Sequence, residues 1–184
     1  YENDKDNHLQ RKNKFISKVN TELIPENIIK AIEESAYNSC SDGPLLSGQV
    51  EGLQIELVKA EYHPAESNDV AYRIATGMAI SRGLQQAGAT LMEPVMLVTI
   101  IAPAEFIGDI IGDINSKRGK IIEIRAQNLK QELLAEIPLS ELFGYSTRIR
   151  SLSQGRAMFT MEFKKYEKIP LQIQNNVLKK LRGY

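Results

Sequence analysis

Apolar positions recur along this chain at two spacings, and those spacings divide it into alternating strands and helices. "KFISKV" (14–19) alternates like a short strand. "PENIIKAIEESAYNSC" (25–40) places Ile28, Ile29, Ile32, Ala36 and Cys40 on one helical stripe, with Pro25 at the helix start, where its missing N–H costs nothing. "SDGPLLSG" (41–48) is a turn-rich stop. "VEGLQIELVKAEY" (50–62) predicts a strand with Leu53, Ile55 and Leu57 on one face. After "HPAES", Ser67 or Asn68 caps a helix in "DVAYRIATGMAISRGLQQAG", whose apolar side is marked by Val70, Ile74, Met78 and Leu84 and whose end is signalled by Gly88.

A second unit begins at "TLMEPVMLVTIIAP" (90–103), a strand whose Pro94 belongs at its start or on an edge. "PAEFIGDIIGDINSKRG" predicts a helix with Phe106, Ile107, Ile110, Ile111 and Ile114 on the core stripe and Asp109 and Asp113 on the other side. Gly108 and Gly112 suit close packing of this helix on a sheet. "KIIEIRAQ" and "QELLAEIP" flank a turn at Asn128-Leu129-Lys130 and read as a hairpin. "PLSELFGYSTRIRSLSQ" is the next helix, starting at Pro138 with Ser140 near its cap. "RAMFTMEFKKYEKIP" alternates as a strand through Ala157, Phe159, Met161 and Phe163, and "LQIQNNVLKKLRG" closes the chain as a helix.

The expected fold class is α+β, with two α/β-sandwich domains. Residues 1–92 form a partial β-α-β-α unit, with 1–14 a mobile terminus on composition. Residues 93–184 form a ferredoxin-like β-α-β-β-α-β domain with a C-terminal helix over 170–182. Many functions share that architecture, so it names none.

Composition narrows the function classes. The chain has 184 residues, is 42% hydrophobic and 25% charged, and contains no apolar run long enough to span a membrane. One cysteine, Cys40, excludes an internal disulfide and a cysteine metal cluster, which favours a cytoplasmic or organellar-matrix setting. Net charge is zero but uneven: residues 1–92 carry 9 Lys+Arg against 13 Asp+Glu, and residues 93–184 carry 14 against 10. A basic second half is compatible with nucleic acid.

Catalytic signatures are missing. There is no GxxxxGK[ST] loop, GxSxG elbow, HExxH or paired CxxC, and two histidines are too few for a usual histidine-rich metal site. No residue is assigned a catalytic, cofactor-binding or metal-ligating role. Asp109 and Asp113 read as solvated helix acids, and Cys40 reads as a small core residue. His63 stands where a strand ends, and Pro64 restricts it to extended conformations. Lys117, Arg118 and Lys120 in "NSKRGK" either complement a helix end or form a cationic knuckle for phosphates. In "FGYSTRIRSLSQGRAMFTMEF" (143–163), arginines and hydroxyls sit directly against a strand, as in an anion site or an RNA-facing scaffold. Arg148 and Arg150, two apart, cannot share one helix face, so at least one points away from the sheet.

"EPVMLVTIIAPAEFIGDIIGDINSKRGKI" and "IPLSELFGYSTRIRSLSQGRAMFTMEFKKYEKIP" closely resemble the C-terminal domain, domain V, of bacterial elongation factor G. More loosely, "FISKVNTELIP", "DGPLLSG" and "EYHPAESNDVAYRIATGMA" resemble, in order, the later part of domain IV of that family. The chain thus looks like a C-terminal fragment starting inside domain IV. It departs from the family at Thr21-Glu22, in place of Gly-Gly, and at Pro64, in place of an acidic residue; Asn3–Asn13 matches no family segment.

The resemblance implies the ribosome-binding part of a translational GTPase that moves tRNA and mRNA. It implies that Tyr62 and His63 meet the tRNA–mRNA duplex at the decoding centre. Lys117, Arg118, Lys120, Arg148 and Arg150 are the candidate contacts to ribosomal RNA. GTP and Mg²⁺ would belong to a preceding G domain, and this part would hold no cofactor. The implied partners are the ribosome and the N-terminal domains of the same protein, with no membrane and a monomeric state. A paralogue specialised for ribosome recycling is the alternative within translation. A free-standing ferredoxin-like module that binds a small molecule is the alternative of another class.

Overall fold

The structure is a computed structural model that describes residues 12–46, 48–127 and 129–182. The expectation of a mobile terminus therefore falls, up to residue 11, outside the described residues, as does Asn128 of the hairpin turn. The chain divides into two compact units: residues up to Leu91 together with those from Leu171 onward, and Met92–Pro170.

In the first unit, β1 (Lys14–Ser17) and β2 (Gln54–Leu57) pair in parallel from Lys14↔Gln54 to Ser17↔Leu57. Parallel pairing needs a crossover, which α1 (Glu26–Ser39) supplies. Pro25 occupies the N-cap position, and the predicted stripe of Ile28, Ile29, Ile32, Ala36 and Cys40 is buried throughout. Phe15, Val19, Leu57, Tyr62 and Tyr72 pack against the isoleucines of this core.

Both strands are shorter than the alternation predicts. Val50 N–H donates instead to the Cys40 carbonyl at 2.7 Å and Leu53 N–H to Asn13 Oδ1 at 3.0 Å, so these two donors need no strand partner, while the Leu53 carbonyl still accepts from Lys14 N–H of β1 at 2.8 Å.

α2 (Asp69–Ala87) is capped as expected, with Asn68 Oδ1 accepting from Ala71 N–H at 2.8 Å and Gly88 closing it at φ 73°. Its packing stripe differs from the predicted one. Val70, Ile74 and Met78 are 58%, 60% and 69% exposed, and of the predicted set Leu84 alone is buried. The half-buried positions are Tyr72, Arg73, Thr76, Gly77 and Ile80. Ser35 Oγ donates to the Arg73 carbonyl at 2.8 Å, and a Cβ on Gly77 would lie 3.6 Å from Ser39 Oγ. Small residues on both helices, Ser39 facing Gly77 and Ser35 bonded to the Arg73 carbonyl, thus let α1 and α2 approach closely, and large apolar side chains were the wrong marker of that face.

α5 (Leu171–Arg182) joins this unit, whereas the sequence reading attached the helix to 93–184. Buried Gln174 accepts from Leu91 N–H through Oε1 at 3.0 Å, fixing the first turns of α5 beside the segment that follows α2.

The second unit is an antiparallel sheet in the order β4-β5-β3-β6, built from β3 (Met92–Pro103), β4 (Lys120–Gln127), β5 (Lys130–Pro138) and β6 (Met158–Lys168). With α3 (Ala104–Ser116) after β3 and α4 (Tyr145–Leu152) after β5, this is the ferredoxin-like β-α-β-β-α-β arrangement. Val98, Ile100 and Ala102 of β3 and Leu133, Ala135 and Ile137 of β5 form a core with Phe106, Ile107, Ile110 and Ile114 of α3 and Tyr145 and Ile149 of α4. Pro94 lies before the point where β3 acquires its second neighbour at Val95↔Pro138, so its missing N–H removes no bond to β5.

Four expectations for this unit are corrected. Gly108 and Gly112 face open space, with nothing within 4 Å of an added Cβ; Gly119 makes the close approach instead. Asp113 is buried because it pairs with α4, while Asp109 is exposed as predicted. The helix expected from Pro138 is a single 3-10 turn at Leu139–Glu141, then Gly144 at φ 73°, then α4, because left-handed Gly144 breaks the helical path; Ser140 makes no cap. Ala157, just before β6, and Phe159 on it pack on the core, but Met161 and Phe163 are 48% and 40% exposed, since β6 is an edge strand with a register shift opposite Val95/Met96.

Candidate nucleic-acid interface

The first predicted contact, Tyr62 with His63, lies after β2 in unit one. Its turn is closed by its own backbone: the His63 carbonyl accepts from Glu66 N–H at 3.0 Å and Ser67 N–H at 2.8 Å, and His63 N–H donates to Ser67 Oγ at 2.9 Å. Tyr72 Oη lies 3.1 Å from Ser67 Oγ and donates to the Glu61 carbonyl. The pair is split by this geometry. Tyr62 is half-buried against the isoleucine core, and His63 is exposed on the turn. Beside it, the hydrogen bond and charge of Lys59 hold the Glu61 carboxyl below its ordinary range. His63 can therefore present an imidazole from a pre-ordered turn while Tyr62 anchors that turn.

The second set lies at the turn from α3 to β4. Gly119 N–H donates to the Ile114 carbonyl at 2.9 Å, and an added Cβ there would come within 2.4 Å of Ile114 Cγ2 and 2.8 Å of Ile114 O. Arg118 takes φ 56°, which turns its side chain inward. It donates to both carboxylate oxygens of buried Glu93, at 2.6 and 3.0 Å, to Glu141 at 3.0 Å and to Ser140 Oγ at 3.1 Å. The hydrogen bond to Glu93 and that to Glu141 raise the Arg118 pKa against the opposing effect of burial. A bidentate guanidinium held this way satisfies a buried acid. The knuckle is therefore divided: Arg118 ties the turn to β3 and the 3-10 turn, Lys117 Nζ stands 5.7 Å from the Tyr145 ring centroid, and Lys120 is exposed.

The third set lies on α4 and its exit. Arg148 Nε donates to Asp113 Oδ1 at 2.8 Å, binding α4 to α3. Arg156 pairs with Glu105 at 2.7 Å and covers the Phe106 ring at 4.6 Å. Arg148 and Arg150 are both exposed, in line with at least one arginine pointing away from the sheet, and Arg150 makes no ion pair among the described residues. The exit is rigid: buried Ser153 donates to the Ile149 carbonyl at 2.7 Å and accepts from Ala157 N–H at 3.0 Å, and Gln154 and Gly155 take φ 52° and 78°.

Tyr145 is buried, and its ring meets Phe159 edge-on at 5.6 Å. Burial, followed by the Asp113 charge, pushes its hydroxyl pKa up to about 12. Phe143, 82% exposed beside Gly144, is an aromatic that sequence reasoning passed over; a lone Phe in a helical pattern reads as core, whereas here it precedes the left-handed Gly144 that interrupts the helical path.

None of these groups assembles a nucleophile with a base. Cys40 Sγ donates to the Ala36 carbonyl at 3.2 Å, and burial raises its pKa, so it is a core thiol beside an open groove of about 470 Å³. Among the described residues no group of three or more His, Cys, Asp or Glu could hold a metal ion, and no helix is long and apolar enough to cross a membrane.

Two family profiles match the chain side by side: elongation factor G, domain IV, over residues 3–88, and elongation factor G C-terminus over residues 90–177. The first includes the stretch 3–13, which sequence reading could not place. Over 169 residues the chain is 38% identical to elongation factor G 2 of Desulfotalea psychrophila, covering 92% of this chain and 24% of that protein. It is 38% identical over 164 residues to elongation factor G of Salinibacter ruber, covering 89% and 23%. A crystal structure from Thermus thermophilus superposes with a TM-score of 0.85 at 26% identity, over 94% of this chain and 26% of that one. The chain thus spans about a quarter of the length of these relatives.

Proposed function

This chain belongs to the elongation factor G family, and from that premise we propose that it serves as the ribosome-binding part of a translational GTPase that promotes translocation of tRNA and mRNA. The observation that carries the reading is the paired match to domain IV and to the C-terminal domain. The matched relatives carry the name elongation factor G, and a recycling paralogue is not favoured. The chain's own chemistry supports a scaffold role, since its cations are either locked into the fold or displayed outward. The GTPase chemistry, with its GTP and Mg²⁺, belongs to another part of a longer protein, and the cytoplasm is the proposed compartment.

In this reading His63 is offered to the tRNA–mRNA duplex from its closed turn, where an imidazole can bond to 2′-hydroxyls and phosphates in the shallow RNA groove. Lys117, Lys120 and Arg150 are offered to ribosomal RNA. Arg118 and Arg148 hold the surfaces that display them.

The test uses the native-length protein with ribosomes and GTP. His63→Ala should slow movement of mRNA by one codon while GTP turnover on the ribosome stays near wild type. Equal losses in both would remove His63 from the tip contact, and no movement by the unaltered protein would remove translocation altogether.

A further inference from the structure

We propose that the outward face of α5 is an RNA-binding surface in addition to the cations of the sheet unit. Gln172, Asn175, Asn176, Lys179 and Lys180 recur at helical spacing and are all exposed, while Ile173, Gln174, Val177 and Leu178 turn toward the fold. The stripe presents amides and then lysines, and it contains no acid.

Its acid-free character is specific to this place. The chain has 23 Asp and Glu, yet residues 168–184 contain none, and neither do residues 70–92, which include most of α2 and end beside the anchor of α5 at Leu91. Helix α1 shows what a solvated face of this protein looks like by contrast. There Lys30 pairs with Glu26 at 2.8 Å, and Glu34 pairs with Arg73 of α2 at 2.7 Å. Lys179 and Lys180 make no ion pair among the described residues, and no acid within reach along their helix could supply one.

Uncompensated lysines beside donor–acceptor amides match a ribose–phosphate backbone, which takes charge from the first and hydrogen bonds from the second. The exposed stripe from Gln172 to Lys180 rises about 12 Å along the helix, enough to meet several successive phosphates. An anionic membrane surface would need the apolar side of the helix as well. That side is engaged, because Gln174 is buried and bonded to Leu91 and its apolar neighbours are half-buried. The choice of RNA over another polyanion rests on the family reading.

The experiment titrates the 184-residue chain onto a labelled RNA duplex of about 16 base pairs across a range of salt. Lys179→Gln/Lys180→Gln should weaken binding and reduce the log–log salt slope by about 0.7–0.9 per lost contact. Asn175→Asp/Asn176→Asp, which keeps both lysines, should weaken binding too, with helix content followed by circular dichroism. Unchanged affinity and slope in both variants would overturn the proposal and leave the lysines as complements of the helix C-terminus. Tighter binding to phosphatidylglycerol vesicles than to the duplex would overturn it in favour of a membrane. Lys117→Gln/Lys120→Gln separates the two readings: sensitivity there alone keeps the ribosomal reading and removes α5 from it.

Discussion

Gly119 and Gly112 lie seven positions apart and have opposite surroundings. A methyl group on Gly119 would strike Ile114 in both side chain and backbone, whereas one on Gly112 meets open space. Gly119→Ala should therefore lower stability by about 1–3 kcal/mol, as overpacking does. Gly112→Ala should leave it unchanged or raise it by about 0.4–1 kcal/mol by restricting the unfolded chain. Thermal midpoints of the two variants check both, and a reversed order would contradict the assigned contacts. Sequence alone pointed to the wrong glycine, since "GDIIGD" shows two small residues at helical spacing but not which way they face. Tyr145 supplies a second test. Its hydroxyl is buried with no hydrogen-bond partner among the described protein atoms, so Tyr145→Phe should cost little or be stabilising. The raised pKa fixes the sign of its pH dependence: neutral Tyr145 contributes fully below the ordinary value of 10, and that contribution is lost as pH rises through about 12. Ultraviolet titration of tyrosinate should show one late group that vanishes in the Phe variant.

Elements were legible where one period dominated. The strands and α3 of the sheet unit, with their dense isoleucine stripe, follow the predicted bounds closely, and α1 buries every residue assigned to its core. They were illegible where contact depended on small residues or on backbone sign. α2 meets α1 through Gly77 and the Arg73 carbonyl, and the expected helix after Pro138 breaks at a left-handed glycine. Arg118 shows the same limit at the candidate site. Nothing in "NSKRGK" says which cation turns inward, because that depends on φ at one residue and on Glu93, twenty-five positions away. Arg118→Ala would leave Glu93 buried without its bidentate partner and should destabilise the sheet unit by about 3 kcal/mol, the scale for breaking one side of a buried pair. A loss of only a few tenths would return Arg118 to the surface set. Ser153→Ala probes the joint between α4 and β6: the Ala157 N–H loses its acceptor, at a cost of about 1–3 kcal/mol measured by denaturant unfolding.

At the scale of the molecule, the central proposal is that this member of the elongation factor G family binds the ribosome by offering cations to ribosomal RNA. Of the five cations predicted to meet RNA, Arg118 is held inside the fold by Glu93 and Arg148 is paired at the surface with Asp113, which leaves Lys117, Lys120 and Arg150 without an ion pair among the described residues. The most direct measurement is the salt dependence of ribosome binding by the native-length protein, wild type against Lys117→Ala/Lys120→Ala/Arg150→Ala. Each phosphate contact removed should flatten the log–log slope by about 0.7–0.9, with the thermal midpoint of the fold preserved. Binding with the wild-type affinity and the wild-type slope would contradict the account.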